Sequence, residues 1–149
     1  MKNLVYIIIS ILLCSCTNVE RNISSCLAGL QYKNDTAMVD LHSVIDLDFD
    51  EIYVLGEYLS HARIAEILGQ QYSSQVFTSE CENLLILLKD NKIVHGEILD
   101  KASFGFIQNS RLNSDYFLHK TGPMLFTVRR WGKDDKLAYT LTEVQESHA

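Results

Sequence analysis

The sequence has 149 residues, of which 47% are hydrophobic and 21% are charged, and its formal net charge is −6 at pH 7. The negative charge argues against a nucleic-acid partner, because phosphate backbones are bound by basic faces. The residues after position 15 suffice for one compact domain and are too few for two. The sequence contains neither a glycine-rich phosphate loop nor a Gly-x-Ser-x-Gly motif. We therefore predict no cofactor and no serine nucleophile.

The chain begins with the features of an export signal. One positive charge, Lys2, precedes about ten mostly apolar residues, a run well short of the roughly 20 needed to span a bilayer. The segment Leu13-Cys14-Ser15-Cys16 follows, and it resembles the bacterial lipobox, in which small residues precede a cysteine that receives diacylglycerol. The resemblance implies that residues 1–15 are a cleaved signal peptide and that Cys16 is lipidated. The alternatives are an ordinary signal peptide with two incidental cysteines, or a signal anchor that stays uncut.

The residues around the predicted lipid site also indicate which membrane carries the protein. Burial of acyl chains stabilises anchoring by about 0.8 kcal/mol per methylene group. Thr17 rather than Asp follows Cys16, which by resemblance to Gram-negative sorting signals favours the outer membrane. We expect the domain to be lipid-anchored at the periplasmic face of that membrane.

The segment after the lipid site is polar, apart from an apolar island at residues 27–30. We predict that residues 16–37 are the lipidated N-terminus and a tether with little fixed structure, which holds a single globular domain, residues 38–149, off the bilayer. Export also places Cys26 and Cys81 in a compartment that permits disulfides. A bridge between them would stabilise the fold by roughly 4 kcal/mol in the chain-entropy model. Two unpaired thiols are the alternative.

The predicted elements of the domain follow in chain order. Residues 38–44 are ambiguous between a short strand and a helix. Residues 51–56 are β-branched and aromatic, which predicts a strand. Ser60 is suited to cap the N-terminus of a helix over residues 61–68, whose apolar stripe has helical spacing, and Gly69 is suited to end it.

The second half predicts two hairpins. A continuous apolar run, residues 84–88, turns over Lys89-Asp90-Asn91-Lys92 and returns as residues 93–99. Residues 124–131 and 137–144 form the second hairpin, in which Arg129 and Trp131 face opposite to Arg130. Together the elements predict an α+β domain with an antiparallel sheet of about five strands and one or two helices.

One segment of this domain resembles known sequences. Asp48-Phe49-Asp50-Glu51-Ile52-Tyr53-Val54-Leu55-Gly56-Glu57-Tyr58, followed by the helix that ends at Gly69, is similar to a segment of small uncharacterised exported bacterial proteins. In those proteins an apolar strand and a hairpin also follow. The resemblance implies a strand–turn–helix unit and brings no activity with it.

The acidic cluster in the same segment has partial calcium-loop spacing. Its members at loop positions 1, 3, 5 and 12 are Asp46, Asp48, Asp50 and Glu57. The loop requires glycine at position 6, where Glu51 stands, and residues 52–55 predict a strand that cannot curl round a metal. We interpret the cluster as a lead-in to this strand, with Leu47 and Phe49 pointing into the core. The histidines also lack zinc-like spacing, so we predict no metal site.

Two functions from different classes remain. The first is a non-enzymatic module that binds another envelope protein or envelope component, with an immunity or inhibitor protein as one form of it. Candidate binding residues are Tyr58, Arg129, Arg130 and Trp131, although one buried and two solvated strand positions are the alternative for the last three. The second is an envelope hydrolase that uses a carboxylate such as Asp50 or Glu57. The hydrolase requires a concave pocket around its carboxylate, whereas the binding module requires a flat or convex face with exposed aromatics.

Overall fold

The computed structural model describes residues 18–56, 58–74, 80–107, 116–132 and 138–144. These residues form two α-helices and eight strands, which confirms the α+β class and exceeds the predicted number of strands. In chain order the elements are α1 (Val19–Gly29), β1 (Thr36–Asp40), a 3₁₀ turn (Leu41–Ser43), β2 (Glu51–Leu55), α2 (His61–Leu68), β3 (Glu82–Lys89), β4 (Lys92–Asp100), β5 (Gly105–Ile107), β6 (Tyr116–Thr121), β7 (Leu125–Trp131) and β8 (Ala138–Glu143).

The strands are divided between two four-stranded sheets rather than the one sheet we predicted. Sheet A has the order β1-β7-β8-β5, and sheet B has the order β4-β3-β2-β6. Every strand pair is antiparallel except β5 with β8. Both predicted hairpins are confirmed, β3–β4 in sheet B and β7–β8 in sheet A. At the β3–β4 turn, Asp90 and Asn91 have φ of 48° and 60°, the left-handed conformation that two-residue hairpin turns favour.

The larger core, here called the inner core, is shared by α1 and by one face of each sheet. Sheet B supplies β-strand side chains such as Val54 and Leu85, and sheet A supplies Phe126 and Val128, all of them fully buried. Phe49 belongs to this core and Leu47 packs against it, as predicted, while Asp46 and Asp48 are exposed. Apolar burial stabilises by about 25 cal/mol per Å², so this core is the main source of stability.

A second core covers the other face of sheet B. Helix α2 packs there through Ile64, against β-strand residues that include Tyr53 and Ile86. The boundaries of α2 are those predicted: the Ser60 hydroxyl accepts a hydrogen bond from the Arg63 N–H at 3.2 Å, and Gly69 adopts φ 66° at the C-terminus. Sheet B is thus covered on both faces.

The prediction that residues 17–37 form a tether with little fixed structure is wrong for α1. Val19, Ile23 and Leu27 recur every fourth residue and are fully buried in the inner core. The Asn18 side chain caps the helix by accepting the Arg21 N–H at 2.6 Å. The many polar residues of the segment are typical of a flexible tether. In the helix, its periodicity places these polar residues on the solvent side.

Helix α1 is also held by a carboxylate from sheet B. Glu97 on β4 accepts hydrogen bonds from the backbone N–H groups of Val19 at 2.8 Å and Glu20 at 3.4 Å. Glu20 in turn accepts the Asp100 N–H at 3.4 Å. Helix N-termini carry unsatisfied N–H groups and a partial positive charge, so a carboxylate there satisfies both.

The predicted disulfide is not formed: among the described residues no disulfide joins Cys26 to Cys81. Cys81 is exposed at the start of β3, where its carbonyl accepts the Lys101 N–H, next to the N-terminal end of α1. Cys26 lies six residues beyond Glu20, which is about 9 Å further along the helix at 1.5 Å per residue. A disulfide needs Cα atoms within about 7 Å, and this offset along α1 works against it.

We expect Glu97→Ala to lower the free energy of unfolding by about 1–2 kcal/mol, because two helix N–H groups lose their acceptor and the helix dipole loses its counter-charge. The matched control is Glu66→Ala, since the Glu66 side chain is 70% exposed and pairs with Arg63 on the surface of α2. That change should cost less than about 0.5 kcal/mol. Urea denaturation measures both, and equal losses would contradict the role given to Glu97.

Candidate binding face

Sheet A has a second face, which points away from the inner core. Residues directly opposite each other on paired strands lie on the same face, so the pairings of Met38 with Thr127, Thr127 with Thr142, and Ile107 with Thr142 form one row across all four strands. The outer face of sheet A consists of Thr36, Met38, Asp40, Gly105, Ile107, Leu125, Thr127, Arg129, Trp131, Ala138, Thr140 and Thr142.

This face carries most of the exposed apolar side chains. The described residues include six large exposed hydrophobics, and four of them lie here: Met38 (59% exposed), Ile107 (49%), Trp131 (47%) and Leu125 (36%). With strands about 4.8 Å apart and residue rows about 6.8 Å apart, the whole face, including its threonines and charged residues, covers roughly 400 Å². Clusters of exposed apolar side chains on one surface of a monomeric protein are often functional. The outer face of sheet A is therefore the candidate binding face.

Two predicted binding residues lie together on this face. The Arg129 guanidinium sits 4.0 Å from the centre of the Trp131 ring, a cation–π contact worth about 0.5–1 kcal/mol at an exposed site. The Trp131 indole N–H donates a hydrogen bond to the Thr140 hydroxyl on β8. These contacts fix the position of the ring and place one positive charge on its face.

The other two predicted residues are elsewhere. Arg130 points to the opposite side of β7, where its guanidinium lies 2.9 Å from the Asp35 carboxylate and 4.7 Å from the Tyr32 ring centre. Tyr58 is 70% exposed, with φ 58°, in the connection between β2 and α2 on the side of sheet B. The four residues predicted as one binding set thus divide into a pair on the binding face and two residues off it.

The sequence did not single out the other apolar members of the binding face. Met38 and Ile107 lie on the two outer strands of sheet A, β1 and β5, which flank the predicted hairpin. Leu125 did show the right alternation within β7. Alternation within one strand does not, however, identify the strands that will pair with it. Only the pairing of distant segments brings these side chains to Trp131.

The Arg130 side of β7 forms a separate structural cluster. The Tyr32 ring stacks on Tyr139 at 6.2 Å between centres, and its hydroxyl donates to the Leu27 carbonyl at the C-terminal end of α1 at 2.7 Å. Burial, together with the neighbouring Tyr139, raises the pKa of Tyr32 to about 12. Burial also raises the pKa of the Cys26 thiol on the same side of α1. The cluster ties the end of the helix to sheet A.

The carboxylates of the hydrolase hypothesis have structural partners or lie outside the described residues. Asp50 is half-buried, and its carboxylate accepts the Asp90 N–H of the β3–β4 turn at 3.2 Å. Lys89 lies 3.9 Å from Asp50 and 3.0 Å from Asp48, whose hydrogen bond raises the pKa of Lys89. Glu57 is outside the described residues. Asp50 therefore stabilises a hairpin turn, and it has no histidine among the contacts described here.

The histidines are distributed among separate contacts. His119 lies 2.6 Å from a Glu51 carboxylate oxygen and stacks on Tyr53, with 4.1 Å between ring centres. His95 lies 2.9 Å from the Glu97 carboxylate that caps α1. Within the described ranges no three histidine, cysteine or acidic side chains are grouped closely enough to hold a metal ion.

A polar groove of about 450 Å³ lies between residues 70–74 and the start of β4. Its lining combines glutamine, serine, lysine and histidine residues with Tyr72, Ile93 and Val94, and Asp50 is not part of it. Tyr72 packs over Gly96, where a Cβ would come within 2.6 Å of its hydroxyl oxygen, so the glycine is required for this contact. Among its described lining residues, the groove contains His95 but not the Asp50 carboxylate that the hydrolase hypothesis names.

Comparison of the chain with protein-family models, with characterised proteins and with solved structures found no match. Neither helix of the described residues is long and apolar enough to cross a membrane.

The Tyr32 pKa predicts a pH dependence. Its value of about 12 in the folded protein lies above the ordinary value of 10, so its contribution to stability is complete below pH 10 and is lost as the pH rises to 12. We expect the stability of the wild type to fall more steeply between pH 10 and pH 12 than that of Tyr32→Phe, which has no hydroxyl to ionise. Urea midpoints across this range measure the difference, and parallel curves would contradict the assignment.

Proposed function

We propose that this protein is a lipoprotein of the bacterial envelope, anchored through Cys16, whose domain binds another envelope protein through the outer face of sheet A. One observation carries the binding proposal: four of the six large exposed apolar side chains of the described residues share that face. Scattered exposed apolar residues are normal on a protein surface, whereas their concentration on one sheet face is typical of an interaction site.

The chemistry of the face indicates what it binds. In its middle row two adjacent threonines, Thr127 and Thr142, lie between the apolar ends Met38 and Ile107. The charged groups of the face are Arg129 and Asp40. Asp40 already accepts the His42 N–H at 3.0 Å, whereas the Arg129 guanidinium is exposed above Trp131. A matching partner has a flat apolar surface with a carboxylate placed opposite Arg129.

The size of the face fits a modest protein interface. Roughly 400 Å² is about half of the 800 Å² that each partner buries in a complex of standard size. The loops at the rim of sheet A must therefore add contact area, or the complex is a transient one. An immunity or inhibitor protein is one form of this function and would use the same face.

The proposed anchor has its own test. We expect Cys16→Ser to leave the chain unlipidated and uncut, because only a thiol forms the thioether with diacylglycerol. Metabolic labelling with a radioactive fatty acid measures this, with the wild type as the positive control. Label that persists in the Cys16→Ser protein would refute the assignment of the lipid to this residue.

The binding face is tested by charge substitutions at exposed apolar positions. We expect Ile107→Glu and Met38→Glu to lower recovery of the partner about tenfold or more when the tagged protein is purified from its own envelope, since a buried carboxylate without a counter-charge costs several kcal/mol. The matched control is Val94→Glu, because Val94 is similarly exposed at 42% but lies on β4 of sheet B. Circular dichroism checks that each variant is folded.

Two results would contradict the binding proposal. One is the same loss of partner in Val94→Glu as in the two face variants. The other is recovery of no partner together with a hydrolytic activity that disappears in Asp50→Asn, which would favour the hydrolase instead.

A further inference from the structure

We propose that one end of the domain faces the lipid headgroups directly, with no tether between them. This end, here called the membrane-proximal end, consists of Asn18 and Glu20 at the start of α1, together with Asp100 at the end of β4 and Lys101 and Ala102 directly after it. The inference rests on the proposed lipidation of Cys16 and adds to it which surface of the domain the anchor holds against the bilayer.

The first step is that the start of α1 is fixed to the domain. Glu97 holds the N–H groups of Val19 and Glu20, and the Glu20 carboxylate accepts the Asp100 N–H. Val19 is completely buried in the inner core only one residue after the cap. Asn18 therefore moves with sheet B and cannot act as part of a flexible linker.

The second step is the length of chain between this fixed point and the lipid. Only Thr17 separates Asn18 from Cys16. Two residue steps span at most about 7 Å even when fully extended. However the domain pivots, Asn18 stays within about that distance of Cys16, and the hydrogen bond between Glu20 and Asp100 keeps the rest of the membrane-proximal end beside the start of α1. A tether of some twenty residues, as the composition suggested, would have placed no such limit on it.

The length of β4 sets the distance between the membrane-proximal end and the opposite end of sheet B. Lys92 begins β4 and Asp100 ends it, eight residues apart and about 26 Å at 3.3 Å per residue. The turn at Lys92 can come close to the headgroups only when β4 lies along the surface. Averaged over the orientations that the short link allows, Ala102 is nearer to the bilayer than Lys92.

Charge does not provide an alternative attachment at this end. Its neighbourhood carries the carboxylates of Glu20, Glu80, Glu82 and Asp100, against the cations of Arg21 and Lys101. Basic clusters are attracted to anionic lipids by about 1 kcal/mol per charge, and this surface has the opposite balance. The acyl chains on Cys16 therefore do the holding, and the surface is brought to the bilayer by the shortness of the link.

The experiment places a fluorescent probe at either end of β4. Ala102→Cys and Lys92→Cys are made in full-length protein with Cys26→Ser and Cys81→Ser, and the lipidated products are reconstituted into phosphatidylcholine vesicles that contain nitroxide-headgroup lipids. Both positions are exposed. We expect the nitroxides to quench the probe at position 102 several times more strongly than the probe at position 92. Equal quenching, or stronger quenching at position 92, would overturn the proposal.

A linker variant tests the short connection itself. Twenty Gly/Ser residues inserted between Thr17 and Asn18 have an average reach of about 25 Å, which should reduce quenching at position 102 to that at position 92. A preference for position 102 that survives the insertion would show that the link does not set the orientation. Mass spectrometry of Cys16 and vesicle flotation separate the two proposals: no lipid and no flotation refutes the anchor, whereas lipid with equal quenching refutes the orientation alone.

Discussion

Strand β3 is buried on both faces, and this constraint sets the order of the layers in the molecule. Leu85 and Leu87 belong to the inner core, while Leu84, Ile86 and Leu88 belong to the second core. A strand of this kind needs a covering layer on each side, since leaving either face exposed forfeits the burial of two or three leucine-sized side chains at about 1.5–3 kcal/mol each. Helix α2 supplies one layer, and α1 with sheet A supplies the other.

Sheet A is consequently the last layer, and its outer face has no covering element among those described. Its position against sheet B is fixed by apolar packing and by one ion pair between the inner faces, where Lys120 on β6 lies 3.3 Å from Glu143 on β8. Lys120 is only 7% exposed, and a charge so buried is tolerated only with its partner in place. The contacts that hold sheet A in place are thus on its inner face. The outer face of sheet A is therefore available for a partner without loss of those contacts.

The parts of the fold that the sequence predicted are those whose signals are local. Helix α2 has its cap and its stop within ten residues, at Ser60 and Gly69, and the β3–β4 hairpin has its turn between two apolar runs. Helix α1 carried comparable signals, with Asn18 as a cap and Val19, Ile23 and Leu27 in register, but the polar composition of the segment outweighed them. The division into two sheets depends on which distant strands pair, as β1 does with β7, and alternation within a strand does not specify its partner.

The same distinction between local signals and the pairing of distant strands explains which residues of the candidate site were predicted. Arg129 and Trp131 were predictable as neighbours because they are two residues apart on one strand, and Arg130 between them necessarily faces the other way. Met38 and Ile107 reach the same face only through the strand order of sheet A. The proposed anchor depends on the first sixteen residues alone. Helix α1 changes what the anchor implies, because this helix starts at Val19, three residues after the proposed lipid site, where a tether was predicted.

Photo-crosslinking in living cells identifies most directly which protein contacts the outer face of sheet A. A photo-crosslinking amino acid is placed at position 38 or 107 on that face, or at His61, an exposed residue of α2 on the opposite side of the layered domain. We expect positions 38 and 107 to crosslink to the same envelope protein and position 61 not to crosslink to it. Crosslinks to that protein from position 61, with none from positions 38 and 107, would contradict this expectation.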